Sequence, residues 1–336
     1  MTFSSAGIAE YEIDRRDPQG WRHVMQAEAA TAQLICLEAL KDFGLWEMAY
    51  RFFGRLYQWL GELYVDEMAG WAAASGQTFG RLATVNCSYE FSHFSALPFM
   101  RRFAMGCSAG LARGSDGVPV HVRTLDWPNQ AMGRATRKFW LKMPAHRAVL
   151  VSFPGMVGGL SGMVPGAYSV TIDWAPPTRF PAFDFGPLFL LRDVLETCPT
   201  YASARARLSC ERLSSSVFFT LCGTREACII ERTHRQAGVR ELGAEPITVS
   251  NHFQCPEFQK YNGPVLQGTE DELLKTTCER SAALREELAA LRGTASTELP
   301  AFLHALAREP VTNGQTVQRM AFCPAHESSA VERRVE

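Results

Sequence analysis

The chain lacks a net charge of either sign: 34 Lys and Arg against 35 Asp and Glu leave −1 over 336 residues. With no basic stripe to read either, a nucleic-acid partner is not expected. No run of eighteen apolar residues occurs, so no membrane-spanning helix is predicted. The ten cysteines include no CxxC pair and no zinc-ligand spacing, and histidines and carboxylates do not cluster, so neither metal nor cofactor is expected. The glycines at 155, 158, 159, 162 and 166 are not followed by Lys-Ser or Lys-Thr, which argues against a phosphate loop and leaves bulges or close backbone approach as their use. The opening, MTFSSAGIAEYEIDRRD, has no basic stretch followed by an apolar core, so the expectation is a cytoplasmic chain without structural disulfides. Repeats and low-complexity linkers are missing too.

What is present reads as globular, with 46% hydrophobic residues and 21% charged. Helical periodicity covers 20–43, 45–64 and 66–79. The second of these is crowded with aromatics and interrupted by Arg51 and Arg55, which suits a lipid-facing surface, a cover over an acyl chain, or a core helix. An irregular stretch from Tyr89 to Gly106 follows. Strand-like runs lie at 148–153, 167–173, 217–222, 227–231, 247–251 and 316–322, with helical text at 186–209, broken at Pro199, and around 298–308. Thr269 and Glu272 match a capping box for a helix ending at Gly293. The last residues, HESSAVERRVE, read as a mobile charged tail. The count is mixed α+β.

Chemistry concentrates at CSAGLARGSDGVPVHVRTLD, residues 107–126. Two strand-like runs flank Gly114-Ser115-Asp116-Gly117, a hairpin signal that places Cys107 at the head of the first strand and Arg123 on the second. A cut between Gly106 and Cys107 would free an α-amine on the residue that carries the thiol, joining nucleophile and base in one residue. A nearby guanidinium favours thiolate and a carboxylate holds the amine, so Arg123 and Asp126 are the candidates. Period two sets 123 and 126 on opposite strand faces, so Asp126 is expected past a bend, before Trp127-Pro128. Cys87 lacks such a hairpin and reads as a buried thiol.

This Cys, Arg and Asp spacing resembles the N-terminal-nucleophile hydrolases of the choloylglycine hydrolase group, most of all the acid ceramidase and N-acylethanolamine-hydrolysing acid amidase branch. Upstream, Asp66-Glu67-Met68-Ala69-Gly70, Val85-Asn86 and Tyr89-Glu90-Phe91 are similar to the same family; downstream, FPGMVGGLSGMVPGAYSVTID (153–173) and VSNHF (249–253) are as well. The likeness runs from about residue 60 to about 323. It implies a four-layer αββα sandwich after a mainly helical N-terminal region, with residues 1–106 and 107–336 as the two products of self-cleavage. It also implies Cys107 as nucleophile, Arg123 and Asp126 as its supports, Asn251 as an oxyanion donor through its amide, and Arg280 as a further site residue. His252 is left structural. The expected activity is hydrolysis of a linear N-acyl amide with a lipid-like acyl group, with peripheral lipid contact through 45–64. Acyl transfer through the same thioester, and a catalytically silent acyl-binding protein, remain the alternatives. One departure stands out: the branch has Asn-Glu where this chain has Asp173-Trp174.

Overall fold

A computed structural model describes residues 1–41, 47–59, 64–93, 106–127, 131–179, 181–182, 184–263 and 272–335. Its strands are β1 (Phe3–Ser4), β2 (Glu10–Asp14), β3 (Gly106–Arg113), β4 (Pro119–Asp126), β5 (Arg137–Lys142), β6 (Arg147–Ser152) and β7 (Ser161–Val164). They continue as β8 (Tyr168–Trp174), β9 (Val217–Gly223), β10 (Ala227–Arg232), β11 (Ala237–Glu241), β12 (Ile247–Val249), β13 (Thr316–Cys323) and β14 (Ser328–Arg334). Two sheets result, ordered β1-β14-β13-β4-β3-β12 and β11-β10-β9-β8-β7-β6-β5-β2. The strand pairs are antiparallel apart from β2 with β5.

The two sheets face one another, with β3 touching β8 and β9, and β4 touching β9. Polar side chains meet between them as well as apolar ones. His121 of β4 spans Ser169 and Thr171 of β8, at 3.0 Å from each ring nitrogen. The helix Pro187–Thr197 covers β6, β7 and β8 from outside, and Thr277–Ala290 covers β3 and β12.

The glycine run has its use here. A Cβ on Gly158 would stand 2.7 Å from Leu188 Cβ, and one on Gly159 2.5 Å from Leu191 Cδ2. Gly162 lies beneath Leu195 in the same way. Bare backbone lets the leucine stripe of the covering helix settle directly on the sheet, at van der Waals distance.

Helices Arg22–Ala27, Ala29–Leu40, Glu47–Trp59, Val65–Ser75, Phe79–Asn86 and Ser88–Ser92 fill the N-terminal third. Three local features depart from the expectations. The helix expected over 20–43 breaks at Glu28, whose carboxylate accepts from Tyr11 Oη at 2.6 Å and from Arg137 Nη2 at 3.1 Å. Next, β1 and β2 tie the same mainly helical region into both sheets, strands that its sequence did not signal. Finally, the supposed tail is β14, paired with β13 and β1, where Arg319 meets Glu332 across the ladder at 2.6 Å. Its charges find partners on the sheet, which is why composition misread it.

Glu47–Trp59 buries Tyr50, Gly54 and Tyr57, and crosses Phe79–Asn86 with a Gly54 Cβ position only 2.7 Å from Gly80 Cα. The core reading holds for that face, while Met48 and Phe52 remain 78% and 71% exposed on the other. Pro199 separates Pro187–Thr197 from Tyr201–Cys210, and Thr200 caps the second helix in a reciprocal box with Ser203. Thr269 and the stretch leading to Gly106 lie outside the described residues, as do residues 45, 46 and 60–63 of the aromatic segment. Among the described residues no helix is long and apolar enough to cross a membrane.

Candidate active site

Cys107 is the second residue of β3 and is 3% exposed. The hairpin register sets it opposite Leu125 and sets Ala109 opposite Arg123, so Cys107 and Arg123 share the face turned toward β8. Arg123, wholly buried, donates through Nη2 to Cys107 Sγ at 3.3 Å and to the Ile172 carbonyl at 3.0 Å, and through Nη1 to Ser161 Oγ at 2.8 Å. Burial pushes the thiol up to about 12, against the pull of Arg123 and with a further push from Asp173. In the uncut chain the sulfur is a thiol.

Asp126 ends β4 directly opposite Gly106. No bend in β4 intervenes. The ladder irregularity falls instead on β13, between Thr316 and Gln318. Strand parity therefore holds, and Asp126 lies on the face away from the sulfur, beside the Gly106–Cys107 peptide. It accepts from Thr316 Oγ1 at 2.7 Å, Asn313 Nδ2 at 3.2 Å and Arg280 Nη1 at 3.5 Å. Desolvation raises its pKa above the usual carboxylate range and Arg280 opposes that rise.

Arg280 comes from Thr277–Ala290 and grips the next peptide, Cys107–Ser108, from the helix side. Its Nη1 donates to the Cys107 carbonyl at 2.6 Å and to Ser108 Oγ at 2.9 Å; Nη2 donates to Asn251 Oδ1 and to the Leu273 carbonyl, both at 2.7 Å. Asn251 follows β12 and accepts from the Cys107 N–H at 3.3 Å. Its Nδ2 donates to the Trp174 carbonyl at 2.8 Å, so the amide expected to serve an oxyanion is here engaged with main chain. His252 hydrogen-bonds Thr277 Oγ1 at 3.0 Å, and burial lowers its pKa to about 4.

All five residues singled out in the sequence thus belong to one buried cluster. Arg123 attends the sulfur; Asp126, Asn251 and Arg280 attend the nitrogen, the carbonyl and the flanking strand. Sequence reading did not foresee the surroundings of Asp173. Its place in β8 alternates with Val170 and Ile172, the mark of a solvent-facing row, yet Ser169, Thr171 and Asp173 point between two sheets and are fully buried. Nor did it foresee Thr316 and Asn313, which sit 190 and 187 residues beyond the carboxylate they hold.

No family model matches the chain. Among curated proteins it is similar to an N-acylethanolamine-hydrolyzing acid amidase of Caenorhabditis elegans, 27% identical over 188 residues that make up 51% of each chain. It is also similar to an acid ceramidase of Macaca fascicularis, 25% identical over 214 residues, 54% of this chain and 50% of that one. The chain spans about half the length of these curated relatives. Among solved structures, a Caenorhabditis elegans N-acylethanolamine-hydrolyzing acid amidase ortholog superposes with a TM-score of 0.54 at 22% identity, covering 65% of this chain and 93% of that one. In sequence, then, the chain is similar to an N-acylethanolamine-hydrolyzing acid amidase and to acid ceramidases, and its fold is similar to that of the solved amidase ortholog.

Proposed function

We propose that the chain is a cysteine amidase, built as a layered αββα sandwich, that matures by cutting itself between Gly106 and Cys107 and then hydrolyses a linear N-acyl amide with a lipid-like acyl group. The observation that carries this reading is the convergence of three separate groups on one residue: Arg123 on the sulfur, Asn251 on the nitrogen and Arg280 on the carbonyl. A merely structural cysteine has no need of two buried guanidiniums. The names of the relatives supply the substrate class.

Once the terminus is free, the α-amine takes the thiol proton and Arg123 stabilises the thiolate. The sulfur attacks the amide carbonyl carbon. The protonated amine then delivers its proton to the departing nitrogen, the carbon–nitrogen bond breaks, and an acyl thioester is left. Water, deprotonated by the same amine, releases the acid and restores the thiol. Asn251 Oδ1, which already accepts from this nitrogen in the uncut chain, is placed to orient the amine. Met48 and Phe52, exposed beside Arg51 and Arg55, form the surface assigned to peripheral contact with a lipid aggregate.

Intact-mass measurement combined with a panel of fluorogenic N-acyl amides tests the reading. Wild-type protein is expected to yield a fragment beginning at Cys107 and to release amine from long-chain substrates, whereas Cys107→Ala stays whole and inactive. A wild-type chain that remains uncut and inactive toward every member of the panel would favour the silent acyl-binding alternative. Mixed acyl products on adding amine would favour transfer.

A further inference from the structure

We propose that Asp173 is the base that takes the Cys107 thiol proton when the chain cuts itself, a role that rests on the amidase reading above. The amine that serves the matured enzyme does not exist before the cut. In the uncut chain the Cys107 nitrogen is an amide whose hydrogen goes to Asn251 Oδ1, so it cannot accept a proton. Some other group must.

The remaining titratable groups around the site are occupied. Asp126 is turned to the opposite face and accepts from Thr316, Asn313 and Arg280. The His93 ring nitrogens lie 2.9 Å from the Tyr89 carbonyl and 3.0 Å from that of Ala175. His121 spans two hydroxyls, His252 meets Thr277, and Tyr89 Oη donates to the Ser216 carbonyl at 3.0 Å. Asp173 differs from all of them. It is 0% exposed, neither of its oxygens meets a donor among the described residues at full hydrogen-bond geometry, and the one side-chain group that bears on it as a hydrogen-bond partner is the Cys107 thiol itself. Arg123 Nε stands 3.9 Å from its Oδ1, and the same guanidinium reaches Cys107 Sγ through Nη2 at 3.3 Å. Two acids share one fixed cation.

This sharing makes the transfer feasible. Before it, a carboxylate faces Arg123; after it, a thiolate does, and the carboxyl is neutral. The buried site therefore holds one anion and one guanidinium throughout, with no charge newly taken out of water. Burial has already raised Asp173 to about 7, within reach of a neutral working pH.

Each bond is accounted for. The S–H proton passes to Asp173 and the thiolate attacks the Gly106 carbonyl carbon. As the bond from that carbon to the Cys107 nitrogen breaks, the proton held by Asp173 goes to the nitrogen. Gly106 is then joined to sulfur as a thioester, and the α-amine is free. Water hydrolyses the thioester to the Gly106 carboxylate and the thiol.

The test is cell-free synthesis of the full chain, followed by intact-mass sampling of self-cleavage from about pH 5 to about pH 9. The wild-type rate is expected to climb with a one-proton slope through about pH 7 and then level off. Asp173→Asn should cut at least tenfold more slowly at pH 8 and lose that climb, while Asp173→Glu keeps it. An Asn variant that cuts as fast as wild type overturns the role, and so does a wild-type rate that increases toward acid pH. Should the Asn variant prove misfolded by thermal melting, the wild-type profile decides alone. A wild-type chain that never cuts removes this role and the amidase reading together, whereas an active, cutting wild type matched by Asp173→Asn removes this role only.

Discussion

Arg280 Nη1 lies 2.6 Å from the carbonyl oxygen of Cys107, a partner 173 residues away along the chain. The guanidinium that makes this bond also borders Asp126, so a single buried cation ties the hairpin, the Asn251 segment and the covering helix together.

Replacing Arg280 with Ala removes that cation and leaves the Asp126 carboxylate buried without it. The expected loss is about 3–5 kcal/mol, the usual result of stripping one partner from a buried ion pair. Arg280→Met with Asp126→Asn in one chain should recover part of it. Urea unfolding of the two variants, both carrying Cys107→Ala to prevent cutting, measures the difference.

Arg123→Gln keeps a planar donor beside the sulfur and removes the charge. A charged hydrogen bond contributes about 1.5–3 kcal/mol, so self-cleavage and amide turnover should each fall about tenfold to a hundredfold at neutral pH. The turnover loss should shrink as the pH is raised, because the thiolate then forms without the guanidinium. A pH-independent loss would point to collapse of the β4–β7–β8 contact instead.

Asp173 sets a pH dependence of stability whose direction follows from burial. Its folded-state value, about 7, lies above the ordinary 3.8. The carboxyl is neutral in both folded and unfolded chains at low pH, so its contribution is intact below about pH 4 and is lost as pH climbs through about 7. Asp173→Asn cannot ionise and escapes that loss. Denaturation midpoints in the Cys107→Ala background should therefore diverge in favour of the Asn variant from about pH 4 to about pH 7 and stay apart above it.

Gly162→Ala places a methyl group 2.7 Å from the Val149 carbonyl oxygen and against Leu195. Overpacking of this kind costs about 1–3 kcal/mol, and here it pushes Pro187–Thr197 off the sheet. Gly243→Ala, in open space, is the control and should be close to neutral. Thermal melting separates them.

The parts of this molecule legible in its sequence are those where one residue type suffices. Apolar β-branched runs gave β6, β9 and β10, and Pro199 marked the break between two helices. The Cys107 hairpin was visible because its turn glycines and its spacing to Arg123 are local. Strands written in charges were not visible. RKFWLK of β5 and SSAVERR of β14 look like surface text until Lys138 is set against Glu10 and Arg319 against Glu332 across neighbouring strands. The same holds at the site. Period two correctly separated Asp126 from Arg123, but which face each would meet depends on helices and sheets brought in from far along the chain. Asp173 was noticed as a departure from the family; its isolation in the interior belongs to the tertiary fold.

The contribution of β1 and β2 to opposite sheets has a bearing on what scission can accomplish. With Phe3–Ser4 laced onto β14 and Glu10–Asp14 onto β5, the two polypeptides made by a cut after Gly106 are held at two seams, one on each sheet. Dilution alone will not part them. The severed molecule should travel as one particle through a sizing column and come apart only in denaturant, and the newly made terminus will stay where the fold had put it.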